Sequence, residues 1–217
     1  LAPVHAAENP AKSNTPVIVT SWSEAVEKLG FSYDWKTYTL CEFIYSHFQL
    51  YGCQPVIFCN VFDPVKMRTQ AEARDYNVID RCAKIPFDMI ADTLIVKNGE
   101  TVLEQDEDYS ILYDENKNAC IIELLSTGEA YEVVSLNVSG YQVKTDEIVI
   151  ADIVEGLGEI DSCMNTVGVI PDLICVPGFS HNSVVAAVMA TKAAGINGLF
   201  RAKAIIDCDS GADGVRQ

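Results

Sequence analysis

The sequence predicts an α/β fold: a mostly parallel sheet flanked by helices, with an inserted antiparallel β-rich domain. Three observations carry this expectation. Short apolar runs of strand length alternate with helical segments in both flanks of the chain. The middle changes to strand-like runs separated by polar turn clusters. The charge is also uneven, because residues 93–147 hold 12 acids and 3 bases, which is −9 of the total −16. The expected division is a discontinuous α/β domain over 1–90 and 146–217 and an insertion over 91–145.

In chain order, Pro16-Val-Ile-Val-Thr20 reads as a strand and Ser21-x-x-Glu24 as a capping box whose helix ends near Leu29-Gly30. Thr39-x-x-Glu42 opens a second helix that runs to about Leu50. Pro55 to Phe62 is an apolar run that fits a strand buried on both faces. Residues 63–92 form a connector with weak helical character around Thr69 to Ala83. Thr93 to Val96 and the Asn98-Gly99 turn signal a hairpin. Strands follow at Tyr109–Tyr113, Ala119–Leu125 and Tyr131–Val143. Asp146 to Asn165 reads as a helix interrupted by Gly156 and Gly158. Pro171–Val176 reads as a strand, Ser183–Ala194 as a helix and Phe200–Asp207 as a last strand. Both ends look cut: the chain starts at Leu1 without a Met and stops ten residues after Asp207.

Composition narrows the function. Of the 217 residues 49% are hydrophobic, enough for a sizeable core. Fifteen bases against 31 acids argue against nucleic acid and against an anionic membrane surface, both of which need clustered Lys and Arg. No apolar run reaches the ~18 residues of a spanning helix. Residues 1–16 lack the basic and apolar regions of a signal peptide, so synthesis inside the cell is expected. The eight cysteines form no CxxC pair and no compact Cys/His cluster, and most lie in apolar runs as small hydrophobes. Reduced thiols are expected, not a zinc site or a disulfide framework.

Several motifs invite a chemical reading. Ile205-Ile-Asp-Cys-Asp-Ser-Gly211 ends an apolar strand in Asp-x-Asp, like the first motif of haloacid-dehalogenase-type phosphatases. There Asp207 would be the nucleophile and Asp209 the general acid, with Mg²⁺ between them. In that family the motif opens the domain, whereas here only eight residues follow Asp209, so a solvated strand end is the simpler reading. Pro177-Gly-Phe-Ser-His-Asn-Ser183 joins a strand to a helix, but it lacks G-x-S-x-G, and Ser180 and His181 are adjacent. Ser180 or Asn182 instead suits a helix cap. Gly156-Leu-Gly158 is no dinucleotide fingerprint. His47 reads as a packed helix residue, His5 as near a frayed end, and Asn137-Val-Ser139 as a sequon relevant only in a secreted chain. No catalytic, cofactor-binding or metal-ligating set emerges, which points to a structural or interaction protein that is not an enzyme.

Three segments resemble the tail sheath proteins of contractile phages and related injection systems. The first is Pro16–Phe31 with Tyr38–Phe48 and Pro55–Val61: a strand, a helix ending at Gly-Phe, a second helix, then a V-rich strand. The second comprises Leu103–Leu112 and Ile121–Leu125, similar to the sheath family's β-rich middle domain. The third is Gly168–Ser180, Val184–Gly198 and Ala202–Asp207: a strand, a Pro-Gly-x-Ser turn, an Ala-rich helix and a strand ending in Asp. The resemblance implies a subunit of stacked hexameric rings around a tail tube, triggered by a baseplate to contract and drive the tube through a cell envelope. It implies no cofactor. Its partners would be further copies, the tube protein and the baseplate, and its place the virion tail after synthesis in the bacterial cytoplasm. Terminal arms of such subunits add strands to their neighbours' sheets. The alternative is a Mg²⁺-dependent phosphatase-like hydrolase using Asp207 and Asp209.

Overall fold

The computed structural model describes residues 1–208. Its dominant feature is a curled antiparallel sheet of seven strands, and 28% of the chain is helical. The expected mostly parallel sheet is therefore corrected. The strands are β1 (Pro16–Val19), β2 (Val56–Cys59), β3 (Arg68–Ile79), β4 (Cys82–Pro86), β5 (Ile95–Asn98), β6 (Thr101–Val102), β7 (Tyr109–Asp114), β8 (Ala119–Leu124), β9 (Ser135–Val143), β10 (Leu173–Cys175) and β11 (Lys203–Ile205). The helices are α1 (Trp22–Leu29), α2 (Thr39–Ile44), α3 (Ile150–Gly158), α4 (Cys163–Val167) and α5 (Ser183–Ala194). The large sheet runs β6-β5-β9-β3-β4-β8-β7. Among the described residues the only parallel pair is β10–β11, joined through α5 as a βαβ unit. β1 and β2 form a separate antiparallel pair, with Val19 opposite Val56. An apolar run reports burial but not the direction of its neighbour, so Pro55 to Phe62 could not separate these alternatives.

The expected helical connector is also corrected. Arg68–Ile79 is the longest strand, paired along β9 and turned into β4. Two devices hid it. Glu72 and Ala73 together oppose Ser139, a β-bulge between the pairs Ala71↔Gly140 and Arg74↔Val138. The extra residue switches parity, so odd-numbered Ala71 and even-numbered Tyr76 and Val78 all pack on the same core. The β3–β4 turn is Asp80-Arg81, both with positive φ (51° and 67°), as a two-residue hairpin loop requires. Neither residue is the Gly that usually announces such a turn. The Asn98-Gly99 hairpin forms as expected, with Asn98 opposite Thr101.

Local chemistry sets the helix ends. Ser21 Oγ accepts from the Glu24 N–H at 3.2 Å, and the Glu24 carboxylate accepts from the Thr20 N–H at 2.7 Å. Thr39 does not cap α2: its Oγ1 accepts from the Leu1 amine at 3.0 Å, and the helix continues as a π-helical turn over Tyr45–Leu50. The helix expected over 146–165 is two helices, α3 and α4, separated by a 3₁₀ turn at Glu159–Ser162. Asn182 caps α5, accepting from the N–H groups of Val184 and Val185 at 3.0 and 3.4 Å.

Two cores result. One joins residues 1–62 to α3 and to α5, around Phe62, Leu29, Ile44 and Met189. The other lies against the seven-stranded sheet, around Ile122, Leu136, Val96 and Val138. Asn60, 1% exposed, ties the opening of the chain to the first core. Its Oδ1 accepts from the Ala2 N–H at 2.9 Å, and its Nδ2 donates to the Phe62 carbonyl at 3.0 Å. None of the helices among the described residues is long and apolar enough to cross a membrane.

Candidate functional site

The β10–α5–β11 unit and its turns gather four of the residues that the sequence singles out, Ser180, His181, Asn182 and Asp207. β10 delivers the chain to the Pro177-Gly178 turn, and Gly178 is required there: its φ is +80°, and a Cβ would lie 2.6 Å from Thr39 Cγ2. The turn brings Ser180, 1% exposed, under the end of β11. Ser180 Oγ donates to Asp207 Oδ2 at 2.7 Å, and the Asp207 N–H donates back to Ser180 Oγ at 2.9 Å. Residues 27 positions apart thus lock the turn to the last strand. Asp207 serves as a strand-end latch, and Asp209 lies outside the described residues. His181 is exposed and makes no triad with Ser180. Among the described residues no three His, Cys, Asp or Glu side chains converge as a metal site would need. Ser180→Ala removes both bonds of a buried latch, so a loss of about 1–3 kcal/mol in urea unfolding is expected. A loss under ~0.5 kcal/mol would mean that the latch carries no stability.

The other candidates are placed by packing. His47 stacks on Phe43 with ring centroids 5.0 Å apart, and its Nδ1 lies 2.9 Å from the Phe43 carbonyl oxygen. Gly156 is a close-packing residue, since a Cβ would meet Val61 Cγ1 at 2.3 Å. Asn137 donates from Nδ2 to Asp75 Oδ1 at 2.7 Å across β9 and β3. The eight cysteines are all free, and burial pushes the thiols of Cys41, Cys59 and Cys120 up to about 12. Such thiols are inert at neutral pH. His5, expected near a frayed end, is instead half-buried among four aromatic rings.

An apolar groove of about 860 Å³ opens beside the small strand pairs. Its walls include Ile18, Phe43, Phe58, Leu157, Ile160 and Ile174. β2 and β10 both line it, and among the described residues each pairs with a strand on one side only. Each therefore keeps an unpaired row of backbone N–H and C=O groups, the feature of a sheet edge that can accept another strand. No signal in the sequence revealed these edges, because pairing partners are a property of the assembled fold. The Ser180–Asp207 latch was better signalled, by a Ser in a strand-to-helix turn and an Asp at a strand end on the same sheet edge.

Compared with known proteins, the chain matches no family model, no curated protein and no solved structure.

Proposed function

We propose that the chain is a structural subunit of a contractile tail sheath, assembling with its own copies into stacked hexameric rings around a tail tube and contracting on a baseplate trigger. The observation that carries this reading is the pair of open strand edges, β2 and β10, lining one apolar groove. A subunit that receives strands from its neighbours' arms needs such edges. The order strand, Pro-Gly-Phe-Ser turn, Ala-rich helix, strand ending in Asp207 supports it as well, since this is the segment most similar to sheath proteins. In this reading Asp207 works on the fold through Ser180, and the protein resides in a virion tail or a phage-tail-like particle.

Negative-stain imaging of the full-length protein tests the proposal, with rings or tubes of regular striation expected. A dispersed monomer at every concentration and salt would overturn it. A second assay addresses the hydrolase alternative. With a generic phosphate ester and Mg²⁺, no turnover is expected from the parent or from Asp207→Asn. Turnover in the parent that Asp207→Asn abolishes would replace the structural reading with the hydrolase.

A further inference from the structure

His5 sits where the two cores meet. Its ring centroid lies 5.6 Å from Phe87, which follows β4 in the chain but packs in the first core, and 5.7 Å from Tyr113 of β7, which touches both. It lies 6.1 Å from Tyr38 and 6.3 Å from Phe62, on the side of the first core. Tyr113 packs against both cores, and its hydroxyl donates to the Met89 carbonyl at 2.6 Å and accepts from the Ala91 N–H at 3.0 Å. His5 Nε2 lies 3.1 Å from the Phe87 carbonyl oxygen. A carbonyl only accepts, so Nε2 carries the proton and Nδ1 is bare. Nδ1 is buried and has no hydrogen-bond partner.

We propose that His5 is an acid-released latch between the two cores: the neutral ring closes the joint, and protonation of Nδ1 opens it. A proton on Nδ1 would create a buried cation and a donor with nothing to receive it. The surroundings supply no compensation. In the opening segment the other ionisable group is the Leu1 amine, which donates to Thr39 Oγ1 and whose affinity for protons is itself lowered by burial. From the stretch that leads into α2 come Tyr38 and, beside it, Asp34, and from α2 itself Cys41. Burial holds the Tyr38 hydroxyl and the Cys41 thiol in their neutral forms. From the sheet side come Tyr113, also held neutral, Asp92 beside it, and Asp88 next to Phe87. Burial raises the Asp88 carboxyl, and its Oδ1 is buried without a partner. Burial therefore favours the neutral form of Asp88.

Burial outweighs the Phe87 carbonyl and lowers His5 from 6.5 to about 4. Above pH 6.5 the ring is neutral whether the joint is open or closed, and the latch has its full strength. Between 6.5 and 4 the open form takes up a proton that the closed form refuses. The opening equilibrium then rises toward tenfold per pH unit, up to about 300-fold in all.

Proton NMR of the intact chain, which has three histidines, reads the titration directly, with His5→Gln giving the assignment. Hydrogen exchange, corrected for intrinsic rate, reads the joint. His5 is expected to titrate near 4. Protection of residues 1–7 should fall steeply between pH 6.5 and 4 while β9 and α5 keep theirs. In His5→Gln, and in His5→Phe, which keeps the aromatic box filled, the fall below pH 5 should be lost and the fall between 6.5 and 5 should become shallower, leaving the share that belongs to the buried Leu1 amine. A His5 titration at 6 or above would overturn the proposal. So would a fall in protection that is as steep in His5→Phe as in the parent.

Discussion

Replacing Gly30 by alanine is expected to lower the unfolding midpoint by about 6–12 °C, equivalent to about 3 kcal/mol in a chain of this length. Gly30 ends α1, with its N–H donating to the Val26 carbonyl, and has φ 68° and ψ 172°. That region of backbone space is essentially restricted to glycine, and a side chain there costs ~1–3 kcal/mol in strain. Space is lacking as well. A Cβ would lie 2.3 Å from the Pro3 carbonyl oxygen and 3.0 Å from its carbon. The obstacle is backbone, and the same carbonyl accepts from the Ala6 N–H at 2.8 Å, so it cannot swing aside cheaply. Gly158 is the matched control: its φ is −59°, and nothing lies within 4 Å of a built Cβ. Gly158→Ala should be neutral or stabilising by ~0.5–1 kcal/mol. Equal effects of the two substitutions in thermal melts would refute the account of Gly30.

Ile122→Ala should cost about 2–5 kcal/mol and Ile122→Val about 0.5–1.5 kcal/mol. Ile122 is fully buried in β8, opposite Ala83 on one side and Ile111 on the other. The second core that holds it also contains Ile85, Cys120, Leu124 and Val138, so apolar side chains would line the vacated space. Urea unfolding followed by circular dichroism measures the loss. A cost below ~1 kcal/mol for Ile122→Ala would mean that this face of the sheet is not a close-packed core.

Elements whose causes are local stand where the sequence places them. The α5 boundaries follow from the Asn182 cap and the Gly195 stop, and the β5–β6 hairpin from Asn98-Gly99. β7 and β8 stand within a residue of their expected ends. Structure and sequence expectation differ where a long-range partner decides. The helix-prone residues Gln70, Ala71, Glu72, Ala73 and Arg74 form a strand because β9 pairs with them, and the bulge erased the alternation that would have revealed it. The candidate site divides the same way. Ser180 and Asp207 were each visible as strand-end or turn residues, but their mutual bond was not.

The sequence by itself determined the elements with local causes: α1, α5, the Asn98-Gly99 hairpin and the run of strands beyond it. Each depends on caps, turn residues or period-2 patterning within a few residues. Only the tertiary structure decided the rest. Strand direction, the recruitment of β3 and β4 into a seven-stranded antiparallel sheet, the open edges of β2 and β10 and the placement of His5 all depend on contacts between residues far apart in the chain. Apolar patterning states that a residue is buried, whereas the partner that buries it is chosen by how the whole chain closes.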